Sequence, residues 1–330
     1  MNFTSLNNNG AVDGFCLVKT VDRKITAKGV PYLDLVLTDS SGEIGAKLWD
    51  FKEELHGWIG ANNLVRVRGT VSRFNESDQL RVEKIRGVTA EDDVRVEDFV
   101  PCAPYKGEEM LSEILGAVGG FKNAELKELV LAAIAERRER LLYWPAAFKL
   151  HHAVRGGLLY HTLTILKLAA RVCEIYPFVD RDLLLTGVVL HDIAKTEEFE
   201  VSETGVAKGY SPDGTLIGHI VRGAMLVERV GRSLGVSEET LMLVEHMILS
   251  HHGEPDFGAA VRPMFLEAEI LAELDLMDSR IYEMAMAADA VQKGEFTPRQ
   301  WALDNRKLYN HGRVDAAVKA EIFELYCLTT

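Results

Sequence analysis

Between Asp13 and Arg86, apolar residues recur at alternate positions in short runs broken by turn signals, a pattern that predicts half-buried β-strands. The runs are Gly14 to Asp22, Tyr32 to Thr38, Glu43 to Trp49, Leu64 to Val71 and Gln79 to Arg86. Between them fall Ala27-Lys28-Gly29, Asp39-Ser40-Ser41-Gly42 and Asn75-Glu76-Ser77-Asp78, with a helix-like stretch, Lys52 to Trp58, after the third. Five strands in this order suit an all-β OB barrel. The more acidic stretch Thr89 to Lys106, with Pro101 and Pro104, reads as a linker. Beyond it the apolar period becomes three and four residues. Helices are predicted over Glu109 to Val118, Glu125 to Tyr143, Leu158 to Glu174, Arg181 to Leu190, Leu216 to Leu234, Glu238 to Ser250, Met264 to Gln292 and Val314 to Tyr326. The chain is therefore expected to be multidomain: a barrel over residues 1–88, a linker over 89–108 and an all-α domain over 109–330. Ser202 to Gly214 fits neither period.

Charge changes this picture. The net charge is -13, but residues 1–90 carry about +1 and the remainder about -14. The acidity belongs to the helical part; the net charge as a whole argues against a protein that coats nucleic acid nonspecifically. Cys16, Cys102, Cys173 and Cys327 are far apart and form no C-x-x-C pair, so they are expected to be reduced and buried. No apolar run is long enough to span a membrane, and the polar, Asn-rich start lacks the basic and apolar regions of a signal peptide. The expected location is cytoplasmic, with no membrane partner.

Eight of the ten histidines lie between His151 and His252. His191-Asp192 ends the apolar segment Leu183 to Leu190, so an imidazole and a carboxylate stand side by side at the end of a buried helix. His161 follows Gly156-Gly157-Leu158-Leu159-Tyr160, His219 follows Ile217-Gly218, and His251-His252 is flanked by Ser250 and Gly253. Asp275 lies in the helical run Glu267 to Asp278. A single histidine of this kind is more often a hydrogen-bonded core or surface residue. The ordered set is different: buried His and Asp need partners, and a shared metal satisfies them together. His246 competes as a ligand, and Asp278 competes with Asp275 one helical turn away.

At these residues the sequence resembles the HD superfamily of metal-dependent phosphohydrolases, over about Leu150 to Asp278 and including His191-Asp192-Ile193-Ala194-Lys195. The resemblance implies that Asp192 bridges two divalent ions, with His161, His191 and Asp275 favouring one and His219, His251 and His252 the other. Two such ions lower the pKa of a shared water and neutralise charge developing on a phosphate. Manganese is expected, with Fe, Co, Ni or Zn compatible with the same donors. Lys195, one turn beyond Asp192, is placed to reach a non-bridging phosphate oxygen, or is a solvated helix-end lysine beside Glu197 and Glu198.

OB barrels bind single strands on strands two and three and with their loops. In Glu43 to Trp49 one face carries Ile44, Ala46 and Leu48 and the other carries Gly45, Lys47 and Trp49, with Tyr32 opening the neighbouring strand. Tyr32, Lys47 and Trp49 are the candidate strand-binding group, against the alternative that the rings only pack. Arg73 and Phe74, in the loop before strand five, would add a phosphate contact and another stacking platform. With Gly45 to Asp50, Leu216 to His219, Val261-Arg262-Pro263, Glu267-Ala268-Glu269 and Leu303-Asp304-Asn305-Arg306, the order barrel then HD domain resembles the YhaM family of bacterial 3'-5' exoribonucleases. That resemblance implies single-stranded RNA as partner, with single-stranded DNA also open, and mononucleotide products. The sequence also admits a homo-oligomer. A rival keeps the HD chemistry on a mononucleotide or cyclic dinucleotide; another is a nucleic-acid-binding protein with a regulatory HD site.

Overall fold

The computed structural model describes residues 3, 10–39, 41–74, 77–313 and 319–322. It divides into two compact units, Met1–Pro101 with Ser202–Val206, and Cys102–Val201 with Ala207–Thr330.

In the first unit, strands β1 (Ala11–Ile25), β2 (Pro31–Asp39), β3 (Gly42–Leu48), β4 (Leu64–Phe74) and β5 (Ser77–Gly87) close into a barrel in the order β1-β2-β3-β5-β4. Helix α1 (Glu53–His56) sits between β3 and β4. All pairings are antiparallel except β3 with β5, the arrangement of the OB fold. Leu33, Leu35 and Leu37 on β2, with Ile44, Ala46 and Leu48 on β3, fill the interior as the alternation predicts. Each fully buried leucine contributes roughly 1.5–3 kcal/mol. Gly69, at the register shift that bends β4 against β5, has no room for a side chain: a Cβ there would lie 2.1 Å from the Arg81 carbonyl oxygen. Arg73 and Phe74 are the last residues of β4, paired with Asp78 and Ser77, and not loop residues as the turn signal suggested. Strand β4 runs three residues past Val71 because the β4–β5 ladder continues beyond the apolar alternation that marks its core. The Phe74 side chain lies outside the described part.

The second unit contains α2 (Gly107–Gly119), α3 (Ala124–Leu141), α4 (Gly157–Ile175), α5 (Arg181–Leu190), α6 (Lys195–Glu198), α7 (Pro212–Leu216), α8 (Gly218–Leu234), α9 (Glu238–Ser250) and α10 (Leu266–Asp289). Side chains of Asn123, Asp180, Ser211 and Ser237 cap α3, α5, α7 and α9 by accepting backbone N–H bonds. Helix α5 is buried from Leu183 to Leu190, and α4 from Gly157 to Leu166, so the site they deliver is sealed by core on its inner side. The helix expected over Leu216 to Leu234 is α8, which begins two residues later at Gly218, φ +77; Leu216 is the last residue of α7. Ser202 to Gly214 holds the loop that follows β6 (Phe199–Val201), the whole of its hairpin partner β7 (Ala207–Tyr210), both strands being too short to show a period, and the start of α7. Of the helix expected over Val314 to Tyr326, residues 319–322 have no regular structure and the others lie outside the described residues.

Candidate metal centre and strand-binding surface

Four helix ends converge on Asp192. Helix α4 brings His161, the end of α5 brings His191 and Asp192, the start of α8 brings His219, and the end of α9 brings His251. The Asp192 carboxylate is buried, and its two oxygens face different imidazoles. Oδ2 lies 3.3 Å from His191 Nε2 and 3.6 Å from His161 Nε2, while Oδ1 lies 3.4 Å from His219 Nε2 and 3.6 Å from His251 Nε2. Asp275 closes the first side, with Oδ1 3.1 Å from His161 Nε2.

The outer nitrogens explain why every Nε2 points inward. Nδ1 of His191 and of His251 donates to the carbonyl oxygens of Val188 and Ile248, each at 2.7 Å, and Nδ1 of His252 donates to Phe257 O at 2.9 Å. The Asp278 and Glu198 carboxylates accept from Nδ1 of His161 and His219 at 2.8 and 2.9 Å. A carbonyl or carboxylate oxygen can only accept, so each Nδ1 carries a proton and Nε2 is the nitrogen left to face the cluster. Asp192 Oδ1, His219 Nε2 and His251 Nε2 are buried without a hydrogen-bond partner. Orphaned polar atoms cost free energy in a core unless something binds them. The donor atoms of His161, His191 and Asp192 lie within 4.8 Å of one another, as do those of His219, His251 and His252, which fits two cations flanking one carboxylate.

Electrostatics follow from this crowding. Burial opposes charge on Asp192, yet Lys195 and His191 hold its carboxyl well below the usual carboxylate range. Burial likewise opposes a charged His161, but Asp275 and Asp278 outweigh it and push that imidazole up to about 10. A cation competes for the same Nε2, so its binding displaces that proton. Burial, with His251 next to it, pushes His252 down to about 3, toward the neutral form that a ligand needs.

The two competitors separate cleanly. Asp278 stands one layer out, accepting from His161 Nδ1 and from His152 Nε2, each at 2.8 Å. His246 is outside the cluster: its Nε2 accepts from the Met264 N–H at 3.0 Å and its ring packs on Phe265. Lys195 is 7% exposed, with Nζ 2.6 Å from Asp192 Oδ2, and is not a solvated helix-end lysine. Sequence reasoning gave no role to His152 or Glu198. The adjacent pair His151-His152 was the signal for the first; the second carries none, since only the fold turns Glu198 toward His219.

Residues 158–280 match the HD domain family. Over 302 residues the chain is 37% identical to the 3'-5' exoribonuclease YhaM of Oceanobacillus iheyensis, covering 90% of this chain and 93% of that protein. The chain belongs to the YhaM family. YhaM of Bacillus subtilis (strain 168) is 35% identical over 298 residues, covering 90% of this chain and 94% of that protein. The second OB-fold domain of replication protein A from Methanococcus maripaludis aligns over 29% of this chain and 98% of that domain, at 18% identity and a TM-score of 0.21.

On the barrel of this YhaM-family chain, Tyr32 and Trp49 stack at 4.5 Å between ring centroids, and Lys47 Nζ lies 5.1 and 5.7 Å from those rings. Residues 34 and 47 face each other across β2 and β3, so Lys47 also pairs with Asp34 at 3.2 Å. The three candidates thus form one group, with Trp49 41% exposed. Arg73 is exposed at the end of β4.

Proposed function

We propose that the chain is a metal-dependent 3'-5' exoribonuclease that hydrolyses single-stranded RNA to mononucleotides at the cluster around Asp192. The observation that carries this reading is the inward ring of Nε2 atoms about both oxygens of one buried carboxylate. Asp192 would bridge two divalent ions, with His161, His191 and Asp275 holding one and His219, His251 and His252 the other. Bound there, manganese, or Fe, Co, Ni or Zn in its place, would supply an activated water and the charge that neutralises a phosphoryl oxyanion. Lys195 donates to a non-bridging oxygen of the scissile phosphate. Asp278 and Glu198 fix the tautomer and aim of His161 and His219. The barrel, residues 1–88, holds the strand by stacking on Tyr32 and Trp49, with Lys47, Arg73 and Phe74 contributing charge and a further ring; residues 89–108 join it to the helical domain, 109–330. Single-stranded DNA is a second substrate compatible with stacking. A cytoplasmic location is part of this reading, and none of the described helices is long and apolar enough to cross a membrane.

The deciding experiment is incubation of purified protein and manganese with 5'-labelled single-stranded RNA. Progressive shortening with release of mononucleotides is expected; intact RNA beside hydrolysed free nucleotides would sink the reading.

Two variants probe the parts. Asp278→Asn removes the charge behind His161 while preserving volume, so the affinity for Mn is expected to fall roughly 10- to 100-fold. Calorimetric titration of metal-stripped protein checks it, and unchanged affinity would leave Asp278 with a packing role only. Trp49→Ala is expected to weaken binding of a long single strand roughly ten-fold, within the range of one lost stacking contact. Hydrolysis of a dinucleotide should change less. Equal effects on both substrates would make the ring structural.

A further inference from the structure

A cavity of about 400 Å³ opens beside the cluster, within the helical unit, with Lys195 and Asp275 on its floor and Phe257 and Trp301 at its rim. These rings are 63% and 74% exposed, large apolar surfaces left in water next to a reaction centre. Trp301 sits on a hydrogen-bonded turn. It opens a 3-10 turn, Trp301–Leu303, whose last residue is buried, and the Gln300 N–H bonds to Arg306 O at 2.9 Å beneath it. Asp304 and Asn305 both adopt left-handed backbone, φ 56 and 55, a strained arrangement for side-chain-bearing residues. Arg306 and Arg280 hold the Asp304 carboxylate at 3.3 and 3.7 Å. The stretch Leu303-Asp304-Asn305-Arg306, which neither the metal centre nor the barrel uses, is thus the mount for an exposed indole. Between rim and floor the wall carries a mostly buried polar pair, His151 Nδ1 and Glu283 Oε1, 3.4 Å apart.

We propose that this cavity is the terminal-nucleotide subsite, in which Trp301 stacks the 3'-terminal base and Glu283, with His151, hydrogen-bonds the ribose hydroxyls. The proposal rests on the exonuclease reading above. A 3'-5' exonuclease must seat the last nucleoside next to the phosphate it cuts, and the cavity is of the size that takes one small ligand. Every base has a π face, so an indole platform accepts any sequence. A carboxylate only accepts hydrogen bonds, so Glu283 suits the 2'- and 3'-hydroxyls and repels a terminal phosphate. The 2'-hydroxyl is also the group by which a site tells RNA from DNA.

The test measures kcat and KM with manganese for full-length wild type, Trp301→Ala, Trp301→Phe and Glu283→Gln. Four 5'-labelled ten-nucleotide RNAs serve as substrates, ending in a ribonucleotide, a 2'-deoxynucleotide, an abasic ribose or a 3'-phosphate. Wild type is expected to favour the ribonucleotide end over each of the others by about five-fold or more. Trp301→Ala should raise KM about ten-fold and abolish the penalty for an abasic end, with Trp301→Phe retaining most of both. Glu283→Gln should shrink the ribose-to-deoxyribose ratio and the penalty on a 3'-phosphate. End preferences that survive Trp301→Ala and Glu283→Gln unchanged overturn the subsite alone. A wild-type protein that shortens none of the four RNAs overturns the exonuclease reading and the subsite with it.

Discussion

Replacing Asp192 with alanine is expected to lower RNA turnover by about three orders of magnitude or more, a loss of roughly 4 kcal/mol of transition-state stabilisation. The reason is positional. Among the described residues this carboxylate alone faces both histidine groups, Oδ2 toward His161 and His191 and Oδ1 toward His219 and His251. Removing it leaves the Nε2 atoms of His191, His219 and His251 without the carboxylate they face and takes away the counter-charge nearest to buried Lys195. Metal analysis of thoroughly washed protein should therefore show divalent ions well below the wild-type content. Strand binding, which the reading assigns to the barrel, should stay within about two-fold of wild type. Asp192→Asn, which keeps the volume, separates chemistry from folding: its thermal midpoint should remain nearer wild type while its turnover is lost. Retained metal and turnover in either variant would remove Asp192 from the centre. Joint loss of strand binding and turnover would mean that the residue holds the fold.

Much of this site was legible because metal ligation demands particular side chains. His161, His191, Asp192, His219, His251 and Asp275 were marked by residue type set into apolar context, and the fold brings them together because α4, α5, α8 and α9 carry theirs at or near an end while α10 presents Asp275 from its middle turns. The barrel was legible for a different reason: alternation on β2 and β3 is dictated by which face is buried, so Tyr32 and Lys47 share the outer face, and Trp49, one residue past the end of β3, stacks on Tyr32. What escaped is what depends on tertiary approach. Asp275 and Asp278 are one turn apart, and only packing decides that the first faces His161 Nε2 and the second His161 Nδ1. Glu198, to which the sequence assigned no role, is buried at the end of α6 against His219. Trp301 lies outside any periodic segment, so hydrophobic patterning gave it no direction at all. The hairpin of β6 and β7 was invisible for the same reason.

Lys195→Met is expected to lower kcat about 100-fold, because it removes one fixed positive charge aimed at the place where phosphoryl charge develops. Methionine keeps the length and apolar stem of lysine, so the packing around the backbone carbonyl that accepts from Trp144 Nε1 at 2.7 Å should survive. The buried ammonium is held charged: burial opposes it, but Asp192 outweighs burial and keeps its pKa above the ordinary lysine value. Two roles are compatible with that position, and stability distinguishes them. If Lys195 serves catalysis, metal-loaded Lys195→Met should melt close to wild type, since bound cations compensate Asp192 and Asp275 without it. Metal-stripped Lys195→Met should melt several degrees lower than stripped wild type, because Asp192 then loses its nearest buried counter-charge and keeps only the charge of His161 at 3.6 Å. If instead the lysine only neutralises Asp192 in the empty protein, kcat at saturating metal would stay within about three-fold of wild type, and the catalytic role would be lost while the stability difference remained.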